Sequence, residues 1–322
     1  MLTDLDCVRL YTSRPIHSAS RSIRVLQVHA QPDNAKDDDI IECDLSVVDL
    51  DAHPHFAALS YVWGPFATGS HQLLCDGVHL THLRKKLGSF SIWIDAVCIN
   101  QENVREKEQQ IPLMGEIYAN AHEVYIWLGK GSSATKRAMT YLAEGGLKRY
   151  YPVLTYSDVD NPVQSRLLSA LWNCHVHRYS AKSGKVPGYL NITNGHTSFM
   201  RFPFRIMRTA RRNFLVSEDD IEELLSCTWT TRIWKYQEVI LASRPVLVSG
   251  LDHLPWETFV YSMALLNETT TMPSIGQWTE IITSREHYRG TPRAAMVKKL
   301  TAYNQFVSTF VKVDSWLARE LL

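Results

Sequence analysis

Paired cysteines, long hydrophobic runs and net charge are all scarce in this 322-residue chain. Its six cysteines are scattered without a CxxC pair, a pattern typical of reduced thiols and not of a disulfide framework. No run approaches the roughly 20 apolar residues of a membrane-spanning helix, and the acidic start MLTDLDCVRL does not resemble a signal peptide. A formal net charge of +1 favours neither nucleic acid nor a membrane as partner. We therefore expect a soluble, cytoplasmic protein.

The usual sequence signatures of cofactor and hydrolase chemistry are also missing. The chain has no GxxxxGK(S/T) or GxGxxG phosphate loop and no GxSxG nucleophile elbow. The run Cys174-His175-Val176-His177 offers zinc-ligand types, but no second cluster follows at a suitable spacing. We therefore predict no metal site and no resident cofactor.

The stretch from Ser91 to Gly129 is the one around which the rest of the chain is organised. The apolar run Ile92–Ile99 predicts a strand buried on both faces, a charged helical segment follows, and Val124–Leu128 predicts a second strand. Strand, helix and strand in succession are typical of a parallel sheet. Asp95 interrupts the first run, where a buried carboxylate is costly unless a partner neutralises it. We interpret Asp95 as bracing a neighbouring loop, with a place in a binding site as the alternative.

Further strand and helix patterns on both sides of this stretch predict an α/β fold. We expect a mainly parallel central sheet with flanking helices, N-terminal strands and a helical C-terminal part. The predicted organisation is an N-terminal extension (1–55), a central domain (56–250) and a C-terminal helical extension (251–322). Because WLARELL ends without a helix terminator, we expect the sequence to be part of a longer protein. The other predicted elements are strands at Ile23–Val28, Ile40–Leu50, Phe56–Gly64 and Val246–Ser249, a hairpin at Leu73–Leu80, and a helix over Thr230–Ala242.

A basic and aromatic segment near 165–212 stands out inside the central domain. Between Asp160 and Glu218 the chain has no acidic residue, while arginines, lysines and aromatic side chains alternate there. Such a composition suits a surface for phosphate or nucleic acid. It also suits an insertion whose arginines are solvated or pair with acids elsewhere, and we favour this second interpretation. We therefore do not expect nucleic acid as a partner.

Three sequence blocks together carry a family resemblance. They are AALSYVWG, then WIDAVCINQENVREKEQQIPLMGEIYANAHEVYIWLG, then RIWKYQEVILA. In this order they resemble the heterokaryon incompatibility (HET) domain of fungal proteins, over about residues 56 to 250. The resemblance implies a self/non-self recognition module whose activation triggers programmed cell death. It also implies that self-association is needed for activity, with a partner incompatibility protein or the missing C-terminal region as the other contact. The segment near 165–212 is not part of the shared pattern.

A second resemblance concerns mechanism. The HET domain is similar in layout to Toll/interleukin-1 receptor (TIR) domains, which are flavodoxin-like. Some TIR domains cleave the nicotinamide–ribose bond of NAD+ with a glutamate four residues after a helical tryptophan, and Trp234 and Glu238 reproduce this spacing. The resemblance implies NAD+ as substrate and Glu238 as the catalytic carboxylate, which would stabilise positive charge at the ribose. Alternatively, Glu238 is an acid on the helix surface that pairs with Lys235 or Arg232. In that case the chain signals by recruiting death effectors and has no catalytic activity.

The remaining site candidates follow from where open α/β sheets bind ligands, at the carboxyl ends of their strands. Trp63 is placed to stack on a base or on nicotinamide, although a tryptophan beside a Gly-Pro turn is more often part of the core. The polar residues after the run that contains Asp95 are interpreted as loop braces, with binding kept open for Asn100. The predicted substrate-binding residues are Ser60, Tyr61, Trp63, Asn100, Arg232 and Trp234, and the predicted bracing residues are Asp95 and Gln101.

Overall fold

The computed structural model describes residues 10–16, 21–30, 43–62, 87–143, 216–232, 234–269 and 272–288. These belong to two compact units. The first comprises 1–130, 228–251 and 283–322, and the second comprises 131–227 and 252–282. Within the described ranges, no helix is both long and apolar enough to cross a membrane. The predicted hairpin Leu73–Leu80, Trp63 and the segment 165–212 lie outside the described residues.

The first unit is built on a mixed β-sheet. Its six strands lie in the order β2-β1-β4-β3-β5-β6. Strand β3 pairs in parallel with both β4 and β5, and β5 pairs in parallel with β6, whereas β1 is antiparallel to β2 and β4. The predicted α/β fold is confirmed, whereas the sheet that was predicted to be mainly parallel is mixed and is parallel only in its middle. The strands are β1 (Ser22–Val28), β2 (Cys43–Asp49), β3 (Ala57–Ser60), β4 (Phe90–Trp93), β5 (Val124–Trp127) and β6 (Pro245–Ser249).

Besides a helical stretch at 10–13, the described ranges contain eight α-helices with full bounds and a seventh strand. Short 3-10 helices at Leu50–Ala52, Ile111–Leu113 and Thr228–Thr231 join some of them. Pro112 lies in the second of these, where the ring interrupts helical hydrogen bonding. The helices are α1 (Asp95–Cys98), α2 (Val104–Gln110), α3 (Met114–Asn120), α4 (Ser133–Ala143), α5 (Glu218–Leu225), α6 (Lys235–Ile240), α7 (Trp256–Thr269) and α8 (Ile275–Tyr288), and strand β7 is Asp252–Pro255.

The predicted strand Ile92–Ile99 is wrong in its second half. Strand β4 ends at Trp93, and Ile94, still extended (φ −136°, ψ 116°), precedes helix α1. The Cys98 amide donates to the Ile94 carbonyl at 2.7 Å, and the Ala96 amide donates to the Asp95 carboxylate at 2.7 Å. The Asp95 carboxylate therefore accepts a hydrogen bond from an amide of the first helical turn, which has no partner within the helix. Asp95 lies just past the carboxyl end of β4 and not inside the sheet.

The second unit contains a helix with a side-chain cap at its start. Ser217 and Asp220 form a capping box at the start of α5, and Arg137 of α4 makes two hydrogen bonds to the Asp220 carboxylate at 3.0 and 2.6 Å. Burial raises the pKa of Asp220, but the bonds from Arg137 and Ser217 outweigh burial and hold the pKa below its usual value. Two further side-chain bonds hold this unit, from Ser262 Oγ to the Leu142 carbonyl at 3.3 Å and from Trp278 Nε1 to the Leu225 carbonyl at 2.9 Å.

We expect Asp220→Asn to destabilise the chain at pH 7 and to have little effect in acid. A lowered folded-state pKa adds stability that is present above the unfolded pKa and is lost as pH falls through the folded value. Asn keeps an acceptor for the Ser217 amide but loses the charge that binds Arg137, at a cost of about 1–3 kcal/mol. Urea unfolding at pH 7 and near pH 3 measures the difference. An equal loss of unfolding free energy at both pH values would contradict this prediction.

Candidate functional site

Two parallel strands of the first unit end beside each other at the edge where a candidate site lies. Ser60 is the last residue of β3, and Asp95 follows the end of the neighbouring strand β4. The carboxyl ends of parallel strands are where open α/β sheets bind ligands. Helix α6 contributes Glu238, and the Ser60 hydroxyl donates a hydrogen bond to Glu238 Oε2. The fold thus joins two predicted site residues that are 178 positions apart in sequence.

Glu238 is fully buried, with 0% of its surface exposed, and Arg232 neutralises it. Arg232 Nη1 donates to Glu238 Oε2 at 2.9 Å, and Arg232 Nη2 lies 2.9 Å from Oε1. The second contact has the distance of an ion pair without hydrogen-bond geometry. Arg232 is 17% exposed and is the carboxylate's more accessible partner. The predicted pairing with Arg232 is present, but the location is buried and not on a helix surface, and Lys235 instead donates to the Thr230 carbonyl.

Trp229 belongs to the same network, although it was not predicted from sequence. Its indole Nε1–H donates to Ser60 Oγ at 2.7 Å, and its side chain is fully buried. It lies in the 3-10 helix Thr228–Thr231, and the Arg232 amide donates to its carbonyl at 3.3 Å. The available signal was its position three residues before Arg232, which places both on one helical turn. A tryptophan there was not distinguishable from an ordinary core residue.

Electrostatic interactions connect Asp95 and Tyr118 with Glu238 and Arg232, and we call the residues connected with the Glu238 carboxylate the carboxylate network. Burial raises the pKa of Tyr118 well above 10, and the negative charges of Glu238 and Asp95 raise it further. Its hydroxyl donates to the Leu59 carbonyl at 3.3 Å. Burial alone lowers the pKa of Arg232, yet the charge of Glu238, with that of Asp95, raises it above the usual value. Arg232 is therefore a permanent cation placed among acidic groups.

Close packing fixes helix α6 and with it the position of Glu238. A Cβ atom at Gly115 of α3 would lie 2.5 Å from Gln237 Nε2 and 3.2 Å from Leu241 Cδ1, so a larger residue there would displace these two side chains. At the other end of α6, Arg285 Nη1 donates to the carbonyls of Val239 and, at 3.0 Å, Ala242. A guanidinium at the C-terminus of a helix satisfies carbonyls that have no partner within the helix.

The other predicted site residues have varied surroundings. Asn100 Oδ1 accepts from the Glu102 amide at 3.1 Å, and Gln101 Nε2 donates to the carbonyl of Asp95 at 2.9 Å. These contacts hold the loop after α1. Tyr61 is buried next to Ser60, and Trp234 is half-buried at the start of α6. The structure thus joins Ser60, Arg232 and Glu238 through direct contacts.

Sequence reasoning missed a buried ion pair next to the loop that contains Asn100. Arg24 of β1 donates to Glu106 of α2 through Nη1 (2.5 Å, to Oε1) and Nη2 (3.1 Å, to Oε2), and through Nη1 to the Cys98 carbonyl at 3.2 Å. Glu106 Oε1 also accepts from the Asn100 amide at 2.7 Å. Burial raises the pKa of Cys98 to about 12. Because the thiolate is the reactive form, Cys98 is no candidate nucleophile.

Chemically, this edge offers one buried carboxylate, one partly exposed cation and one buried hydroxyl. Among the described residues, no three His, Cys, Asp or Glu side chains lie close enough to hold a metal ion. The predicted zinc-ligand types at 174–177 lie outside the described ranges. A carboxylate that acts through its charge is the chemistry that these side chains support.

Comparison with known proteins decides the family. A model of the family described as "Heterokaryon incompatibility protein (HET)" matches residues 56–238, which is more than half of the chain. This chain belongs to the heterokaryon incompatibility family. It is also 27% identical over 263 residues to "Heterokaryon incompatibility protein 6, OR allele" of Neurospora crassa. That alignment covers 74% of this chain and 35% of the relative, so the chain spans about a third of its length. No solved structure matches with significant similarity.

The HET match contains the whole carboxylate network. It begins at Phe56, directly before β3, and ends at Glu238 itself. The HET resemblance stated from the three sequence blocks is confirmed. The members of the network that fall within the HET match are Ser60, Asp95, Tyr118, Trp229, Arg232 and Glu238.

Proposed function

We propose that this HET chain is the effector part of a fungal self/non-self recognition protein and that it kills the cell by cleaving NAD+. The observation that carries the proposal is the position of Glu238. It follows Trp234 by four residues, and its carboxylate lies against the last residue of β3 at the ligand-binding edge of a parallel sheet. The TIR-like layout that HET domains resemble is part of this proposal.

The proposed reaction breaks the bond between the nicotinamide nitrogen and C1′ of the ribose. Nicotinamide leaves as a neutral molecule with the bonding electron pair, and positive charge develops on the ribose. The Glu238 carboxylate stabilises that charge, as carboxylates do in glycoside hydrolysis. Water then attacks C1′ and releases a proton, which gives ADP-ribose. Nicotinamide is a good leaving group, so the reaction needs neither a metal nor a strong acid.

The buried carboxylate implies that this conformation is a closed state. Glu238 has no exposed surface, and of its two side-chain partners in the described part of the chain, Ser60 is also fully buried. Arg232 alone is partly exposed, so a substrate reaches the carboxylate when this side chain moves away. Arg232 then holds the place that the cationic nicotinamide ring occupies in the complex. We propose that self-association in the cytoplasm, or contact with a partner incompatibility protein, favours the open state.

The test is release of nicotinamide from NAD+ by the purified chain, measured by liquid chromatography over a series of protein concentrations. We expect a rate that rises more steeply than protein concentration, because assembly favours the open state. ADP-ribose or its cyclic form should appear in step with nicotinamide. Absence of cleavage even at the highest protein concentration would contradict the enzymatic proposal.

A non-catalytic signalling module is the second candidate. The observation in its favour is the complete burial of the Glu238–Arg232 pair, which suits a structural ion pair as well as a closed site. A recruitment module kills without consuming NAD+. Cell death with an unchanged cellular NAD+ level would select this function over the first.

A further inference from the structure

The two buried residues behind Glu238 form a chain of hydrogen bonds with a fixed direction. Trp229 Nε1–H donates to Ser60 Oγ at 2.7 Å, and the Ser60 hydroxyl donates to Glu238 Oε2. An indole nitrogen only donates, and a hydroxyl has one proton to give. With its oxygen occupied by the Trp229 proton, Ser60 directs its own proton to the carboxylate. The direction of this chain therefore requires an acceptor at its end, which the ionised carboxylate provides.

Burial makes this chain stronger than a comparable surface contact. Trp229, Ser60 and Glu238 are each 0% exposed, so water does not compete for any of the three groups. Hydrogen bonds to an ionised acceptor are about twice as strong as neutral ones, and successive bonds in a low-dielectric interior polarise each other. The bond to Oε2 therefore persists when the more accessible Arg232 moves.

The two carboxylate oxygens consequently have different roles. Oε2 accepts from Ser60 and from Arg232 Nη1, whereas the sole contact of Oε1 among the described residues is the 2.9 Å ion-pair contact with Arg232 Nη2. When Arg232 leaves, Oε2 keeps a donor and Oε1 has none. We propose that Trp229 and Ser60 are positioning residues that anchor Oε2 and so present Oε1 to the ribose. This proposal rests on the proposed function for the identity of the sugar.

The test uses Ser60→Ala and Trp229→Phe, which remove one donor each and keep most of the packing. We expect kcat for NAD+ cleavage to fall roughly 10- to 100-fold in each variant, because a carboxylate displaced by about 1 Å loses that much rate. KM should change by less than about twofold, since neither residue contacts the substrate in this proposal. In the double variant, Trp229→Phe should add little to Ser60→Ala, because the indole acts through the hydroxyl.

The second unit supplies matched controls. Ser262→Ala and Trp278→Phe remove the same groups from two other buried side chains, whose partners are the carbonyls of Leu142 and Leu225. We expect both controls to lose some stability and to keep kcat. If the controls lower kcat as much as the site variants do, or if the two site changes are additive in the double variant, the positioning role is overturned.

A readout without substrate separates this proposal from the proposed function. The side-chain carboxyl carbon of Glu238 is observable by ¹³C NMR, and its signal is identified by its loss in Glu238→Gln. The signal should shift in Ser60→Ala and, through the chain, in Trp229→Phe, and it should stay in place in the two controls. Shifts in a protein that never cleaves NAD+ would refute the enzymatic function and leave the positioning role standing. Full kcat in both single variants of an active enzyme would refute the positioning role alone.

Discussion

Glu238→Gln should reduce NAD+ cleavage about 100- to 1,000-fold, the range found when one group that stabilises transition-state charge is removed. Gln has the same size and keeps a carbonyl oxygen for the Ser60 hydroxyl, but it lacks the charge that opposes the developing cation. KM should therefore change little while kcat falls. Initial rates of nicotinamide release over a range of NAD+ concentrations measure both constants.

The same variant should also lose stability, and this loss must be separated from the loss of rate. Removing one partner of a buried ion pair costs about 3–5 kcal/mol, and the lower end applies here because Arg232 can turn toward solvent. The double variant Glu238→Gln/Arg232→Gln replaces both charges with neutral amides and should recover much of that stability without recovering turnover. A folded Glu238→Gln protein with wild-type turnover would leave the enzymatic function without its main residue.

Arg232→Gln should have the opposite effect on rate and raise basal NAD+ cleavage about 10-fold, which corresponds to about 1.4 kcal/mol in the equilibrium between closed and open states. The variant removes the cation that covers Glu238, so the carboxylate becomes reachable without assembly. The dependence of rate on protein concentration should become less steep. Nicotinamide release at low and high protein concentration measures both effects.

Arg24→Gln is the matched control for this prediction. Among the described residues of the first unit, Arg24 forms a second buried pair, with Glu106, and its other hydrogen bonds go to the carbonyls of Cys98 and Arg14, away from the contacts of Glu238. We expect this change to destabilise the chain without activating it. The sequence analysis instead assigned Arg232 to direct substrate binding. A raised KM in Arg232→Gln, with basal turnover no higher than in the unmodified chain, would support that role and contradict this prediction.

Sequence reasoning predicted the central sheet because short apolar runs bounded by glycine and polar turns are typical of buried parallel strands. It failed at Asp95–Cys98 for a physical reason. Periodicity does not separate a short buried strand from one buried helical turn, and here the backbone turns helical directly after Ile94. The strand-end rule correctly drew attention to Ser60, whose hydroxyl contacts Glu238.

The carboxylate network could not be predicted from the sequence, because its contacts join residues that are far apart in the chain. Nothing near Ser60 indicates that residues 169 and 178 positions later, Trp229 and Glu238, share its hydroxyl. The burial of Glu238 was likewise not evident, since Trp234, Glu238 and Leu241 on one helix face fit either a half-exposed or a buried acid. Tertiary packing of α6 against α3 decides between them, and the helical pattern of α6 alone does not contain that information.

The close approach at Gly115 has a consequence for the speed of opening. Helix α6 packs against α3 at Gly115, where an added Cβ would displace the Gln237 and Leu241 side chains, and Arg285 donates to carbonyls at its C-terminal end, so rotation of the helix would disrupt both sets of contacts. The moving part is the Arg232 side chain. Rotamer changes of exposed side chains take picoseconds to nanoseconds, but the Arg232 side chain is only 17% exposed and is paired with Glu238. We therefore expect opening in the proposed enzyme to be slower than the rotation of an exposed side chain, because Arg232 must first leave a buried ion pair.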